Sequence, residues 1–232
     1  MKHLNSFPIF LFLMVFSSSF ITAQNTSEPT NFVFKKSMVA SQNGISNLER
    51  KHDSLIDAMV NPNGKDSLMN KQLKELQMTD FLTQSPDTEI YVEVQNDSVW
   101  RYKKLKGEMI GDYLMILKNT GILNYYDRSK SINYDKYDLF AGNNVYEISE
   151  DRNDRKEIKG YDYFKLRLVK IDEESDLRNL IYEMYVTDQI DLPIHSVINL
   201  GKFLPKTFPM EIKISEEELP GMAEVYEIIE IE

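Results

Sequence analysis

The 232-residue sequence predicts an α+β protein: a wide curved antiparallel sheet, an incomplete barrel, with an N-terminal helical hairpin. Three observations predict it. Apolar residues recur at every second position through most of 88–232. Residues 45–82 instead carry two apolar stripes at spacings of three and four. No crossover helices separate the strand-like runs, so neighbouring strands read as antiparallel. A sheet of about nine to eleven strands is expected to curl.

Residues 1–23 read as a cleavable secretory signal. Met1-Lys2-His3 is a basic start, 7–16 is an apolar run, and Ala23 precedes a cut before Gln24. Spanning a bilayer takes about 20 apolar residues, and this run is about half that. No cysteine follows it, which excludes a lipid-anchored lipoprotein. The expected product is soluble and exported, to the periplasm or outside the cell, with no transmembrane segment after signal removal. Residues 24–44 form an N-terminal segment in which Phe32-Val33-Phe34 begins a strand, and 45–232 is a single domain.

Within 45–82, Ser46 and Glu49 have the spacing of a capping box. Leu48, Leu55, Ile56, Met59 and Val60 then share one helical face. Asn61-Pro62-Asn63-Gly64 is a turn, and Asp66 caps a second helix bearing Met69, Leu73 and Leu76. From 88 onward, Ile90, Val92 and Val94 alternate with polar positions. Asn96-Asp97 is a tight turn into a return strand of Val99, Arg101 and Lys103. Further strands are expected at 113–117, 122–126, 131–137 and 145–148. Others carry Phe164, Leu166 and Leu168, then Tyr182, Met184 and Val186, then Met210, Ile212 and Ile214, with a last one at 225–231. Residues 195–201 interrupt the pattern as a helical turn stopped by Gly201.

Composition excludes several chemistries. The chain has 27 basic against 37 acidic residues, a net charge of −10, which disfavours nucleic acid and anionic lipid surfaces. It has no cysteine, so disulfides, thiolate nucleophiles and cysteine-zinc sites are all out of reach. No phosphate loop, HExxH or GxSxG is present, and no cofactor is expected. His52 reads as solvated on a helix flank. His195 lies near Asp191 but has no nucleophile-elbow serine to serve.

Glu150-Asp151-Arg152-Asn153-Asp154 faintly resembles a calcium loop, but Arg155 and Lys156 stand at the critical places. Residues 172–176 and 216–218 read as solvated acidic loops. The triplets at Ser54, Ser67 and Ser98 (Asp-Ser-aliphatic) resemble bacterial O-glycosylation sites, with helix-start chemistry as the plainer reading of the first two.

Residues 153–232 carry a family resemblance. Ile158-Lys159-Gly160-Tyr161 followed by Lys165 resembles the "I-x-G-Y-x-C-x-K" strand of exported bacterial proteins of the GLPGLI type. Glu183-Met184-Tyr185-Val186-Thr187-Asp188-Gln189-Ile190 is similar to their "W-Y-T-x-x-I" landmark, and the run from Pro209 to their proline-led strand. Tyr163 replaces the family's cysteine and Met184 its tryptophan. The resemblance implies a lipoprotein-carrier-like half-barrel of uncharacterised role.

The expected function is that of a non-enzymatic cell-envelope protein, its partner a hydrophobic small molecule or an envelope protein. A lipid-like ligand would lie on the apolar face made by Ile90, Val92, Val94, Phe164, Leu166, Leu168, Tyr182, Met184 and Val186. The alternatives are a protein-interaction or assembly module of the periplasm or outer membrane, and a hydrolase using paired carboxylates.

Overall fold

The computed structural model describes residues 29–60, 86–171, 180–217 and 220–232. The signal segment with Ala23 and Gln24, the acidic run 172–176 and Ser67 lie outside the described residues.

Eleven strands form one sheet: β1 (Asn31–Ala40), β2 (Thr88–Gln95), β3 (Ser98–Leu105), β4 (Glu108–Leu117), β5 (Ile122–Tyr126), β6 (Asn133–Asp138), β7 (Val145–Ile158), β8 (Tyr161–Ile171), β9 (Leu180–Thr187), β10 (Phe208–Glu216) and β11 (Met222–Ile231). Their order is β6-β5-β4-β3-β2-β1-β11-β10-β9-β8-β7, and every ladder is antiparallel. The expected alternation and strand positions are thus present.

The sheet is an up-and-down meander opened at an unusual place. Its first and last strands pair with each other in the middle, and its edges are β6 and β7, which are consecutive in the chain. Strand count explains the opening. Direction reverses at every ladder, so an odd number of strands leaves β6 and β7 running the same way. Parallel pairing needs a crossover of about a dozen or more residues. Only 139–144 separate these two strands, so the ladder stays open there.

Turn chemistry sets the register. At Lys106-Gly107 and Lys159-Gly160 both residues have positive φ (50° and 84°, 53° and 83°), the mirror-image turn that matches strand twist. Glycine takes the second position of each because that conformation costs it nothing. Asn96-Asp97 makes the expected tight turn between β2 and β3. Pro209 sits inside β10, at a register shift between Pro209 and Glu211 where a missing N–H is tolerated.

Three expectations are corrected. The helical hairpin is not found: the described residues hold one α-helix, α1 (Gln42–Val60), and its expected second arm falls outside them. The helix also begins earlier than the Ser46 capping box. Ser41 caps it instead, its Oγ accepting from the Gly44 amide at 3.1 Å. In addition, Glu150-Asp151-Arg152-Asn153-Asp154 is no loop but part of edge strand β7, with a register shift between Asp151 and Arg155. Arg152 there pairs with Glu150 at 3.1 Å and Asp188 at 3.4 Å.

Candidate functional site

The buried aliphatic positions of the central strands point to one face, called inner here. Phe34 stands opposite Ile90 and Ile228, Val92 opposite Arg101, and Ile212 opposite both Tyr226 and Met184. Directly opposite residues share a face. Arg101 and Lys103 therefore belong to the inner face, together with Lys36 opposite Tyr226.

The nine residues expected to offer a ligand face are brought together here. Eight of them are buried in one cluster, and Val94 packs against it. The chain itself covers much of this face. The 190–204 segment, between β9 and β10, contributes Ile190, Leu192, Ile194, Val197, Ile198 and Leu200 to the same cluster. A 3₁₀ turn, Ile194–Ser196, shapes its middle, close to the helical turn expected at 195–201. Its polar groups tie it to the opposite side of the sheet. His195 Nε2 meets the Lys118 carbonyl at 2.7 Å, and Asn199 Oδ1 accepts from Arg101.

The other end of the inner face is polar and hollow. Two adjoining cavities share Met38 and Glu224. The larger, about 440 Å³, is walled mainly by Leu180, Tyr182, Ile214 and Met222, with Glu216 also on its lining. The smaller, about 250 Å³, is lined by Lys36, Lys103, Leu105 and Ile110 among others. The larger falls within the range of about 300–1,000 Å³ typical of small-molecule sites.

Charge on this end is unbalanced. Glu224 is satisfied twice, by Lys36 Nζ at 2.8 Å and by the Tyr226 hydroxyl at 2.9 Å. Lys103 has no ion pair among the described residues, and burial together with Lys36 and Arg101 pushes its pKa down. Arg101 is only 5 % exposed, and its Nη1 finds no hydrogen-bond partner. Burial brings its pKa down to about 10. An unpaired buried charge is among the costliest groups in a fold. Sequence reading placed Arg101 and Lys103 on a strand without a role. The signal was their shared phase with Val99, masked because Trp100 and Tyr102 make the other face equally apolar.

His195 is wholly buried between the rings of Phe140 (5.1 Å) and Phe203 (5.9 Å). Its Nε2–H donates to Lys118, which leaves Nδ1 as a bare acceptor with no partner. Its contacts with Lys118, Phe140 and Phe203 fix the 190–204 segment on the sheet. Burial first, then the nearby Arg101 charge, lowers its pKa from 6.5. The unfolded chain thus binds a proton more readily than the folded one. Stability from this group is complete above about pH 6.5 and declines as pH falls below it. The thermal midpoint should drop between pH 7 and pH 5, with a flatter slope in His195→Gln, whose amide can still donate to Lys118. Identical slopes for both proteins would refute the assignment.

On the outer face, Tyr91 stacks on Tyr102 at 5.0 Å, and Trp100 packs on Tyr126 at 5.0 Å. Lys104 and Lys130 lie over these rings, Lys130 also pairing with Glu93 at 3.4 Å. The array is satisfied by its own members and is a cross-strand stabiliser. Ser54 is exposed on α1, whereas Ser98 is half-buried with its hydroxyl donating to the Gln95 carbonyl at 3.3 Å. Among the described residues no three acidic or imidazole groups are placed to hold a metal ion, and no helix is long and apolar enough to cross a membrane.

No protein family, curated protein or solved structure matches the chain.

Proposed function

We propose that this is an exported, non-enzymatic binding protein of the cell envelope that holds a hydrophobic or lipid-like ligand against the inner face of its sheet. The observation that carries the reading is the pair of adjoining cavities at the open end of that face, walled by Met38, Leu180, Tyr182, Ile214 and Met222. The 190–204 segment fills the other end, so a ligand would complete the apolar core rather than spread over a bare sheet.

The length of one connection favours the same reading. Eleven flat strands would set β6 and β7 about 48 Å apart, at about 4.8 Å per ladder. The 139–144 connection spans at most about 25 Å even when fully extended. The sheet would therefore bend into a trough around its inner face, in keeping with the half-barrel implied by the GLPGLI-type resemblance of 153–232. The segment 1–23 supplies the export part of the proposal.

The experiment is lipid extraction and mass spectrometry of protein taken from its native envelope, then titration of the stripped protein with the neutral dye 1-N-phenylnaphthylamine. Saturable uptake at one site is expected. Met38→Trp, which fills space common to both cavities, should weaken it about tenfold. A ligand-free spectrum with no dye uptake would overturn the proposal.

A further inference from the structure

The inner face of an acidic protein gathers three cations, Lys36, Arg101 and Lys103, around one satisfied carboxylate. Glu224 is fully engaged by Lys36 and Tyr226, so it is not free to neutralise the other two. Arg101 lies one same-face step from Lys103, about 6.6 Å along β3. Its single described side-chain partner, Asn199, is neutral, and Nη1 is left buried without a partner. Lys103 itself lines the smaller cavity. Glu224 also lines that space, but Lys36 and Tyr226 already engage it, so Lys103 and Arg101 leave an excess of positive charge there, and low polarity strengthens its field.

The two cavities differ in the cations that line them. The larger one is lined by Leu180, Ile214 and Met222 and has no lysine or arginine on its described lining. The smaller cavity offers Lys103 with apolar walls from Leu105 and Ile110. An elongated anion is therefore best placed with its head in the smaller cavity and its chain in the larger.

Building on the inner-face ligand proposed above, we infer that the ligand is an amphiphilic monoanion: its carboxylate head sits against Lys103 in the smaller cavity, with Arg101 behind, and its apolar chain runs past Met38 into the larger cavity. Lys103 makes the charge-assisted hydrogen bond, and Arg101 contributes its uncompensated charge without needing contact. The head group relieves the repulsion between Arg101 and Lys103.

The test uses the full folded chain and a matched pair of probes, pyrene-dodecanoic acid and its uncharged methyl ester. The acid should bind at least about tenfold more tightly than the ester, the scale of one hydrogen bond to a charged group. Lys103→Met should erase that preference while leaving ester binding intact. Arg101→Met should shrink it severalfold, and its melting temperature should equal or exceed that of the native protein, because an unpaired buried charge has been removed. Sodium acetate at millimolar concentration should not displace the acid. Equal binding of acid and ester by the native protein would overturn the inference and leave the hydrophobic-ligand reading standing. Full displacement by acetate would also overturn it, reassigning the site to a small free anion. Failure of both probes to bind would remove the underlying reading itself.

Discussion

Phe208→Ala is expected to destabilise the fold by about 3–5 kcal/mol. Phe208 is completely buried at the start of β10. Its ring reaches over β11 to Phe32 and Phe34 on β1, with centroids at 4.5 Å and 5.9 Å. The substitution removes a whole aromatic ring from the place where the N-terminal and C-terminal halves of the meander meet. Strands on both sides are fixed by their ladders, so the space cannot close by a simple side-chain shift. Urea titration should show a lowered midpoint with a nearly unchanged slope. A loss below about 1 kcal/mol would mean that this junction is not packed as described.

Gly44→Ala should cost about 2 kcal/mol, against the direction that helix propensity alone dictates. Gly44 lies in the first turn of α1, where alanine would ordinarily gain about 1 kcal/mol. A Cβ there would come within 2.4 Å of the Gly221 carbonyl oxygen and 2.6 Å of its carbon. Both obstacles are backbone, and neither can rotate aside. The same small knot holds the Ser41 amide on the Gly221 carbonyl at 2.7 Å and the Gly44 amide on the Ser41 hydroxyl at 3.1 Å. Moving the helix start breaks the cap and the hydrogen bond, each worth about 1 kcal/mol, and adds strain on top. Denaturation followed by helical circular dichroism decides the sign. A stabilised variant would show that α1 does not rest on the turn between β10 and β11.

Period-two patterning made most of the sheet legible in advance. Ile90 to Val94, Phe164 to Leu168 and Tyr182 to Val186 all alternate cleanly, and each lies in the expected strand. Residues 150–158 were harder. Their polar, charged pattern reads as a loop because an edge strand with both faces wet has no alternation to display. The start of α1 was misplaced for a related reason. Ser46-x-x-Glu49 satisfies a local rule, but the helix begins where Ser41 and the distant Gly221 meet, a contact no window of nearby residues contains. The site was legible only in part. Its apolar members follow the alternation, but the 190–204 segment that covers them shows no regular period. The cations on β3 share a strand with Trp100 and Tyr102, whose bulk disguises which face is inner. Strand order is likewise invisible to local pattern, since pairing of β1 with β11 joins the two ends of the chain.

That central joint has a consequence for synthesis. Of the eleven strands a ribosome releases β1 first and β11 last, so the middle ladder of the sheet cannot form until β11 emerges. The first six strands can nucleate as hairpins, each from local contacts, but they present a bare edge at β1 throughout elongation. Folding that waits on such a distant contact is slow compared with hairpin closure. A nascent chain of this design keeps its two half-sheets unjoined until β11 emerges. Any product truncated before Met222 adds two unpaired edges, on β1 and β10, to those of β6 and β7, all available to join with other chains.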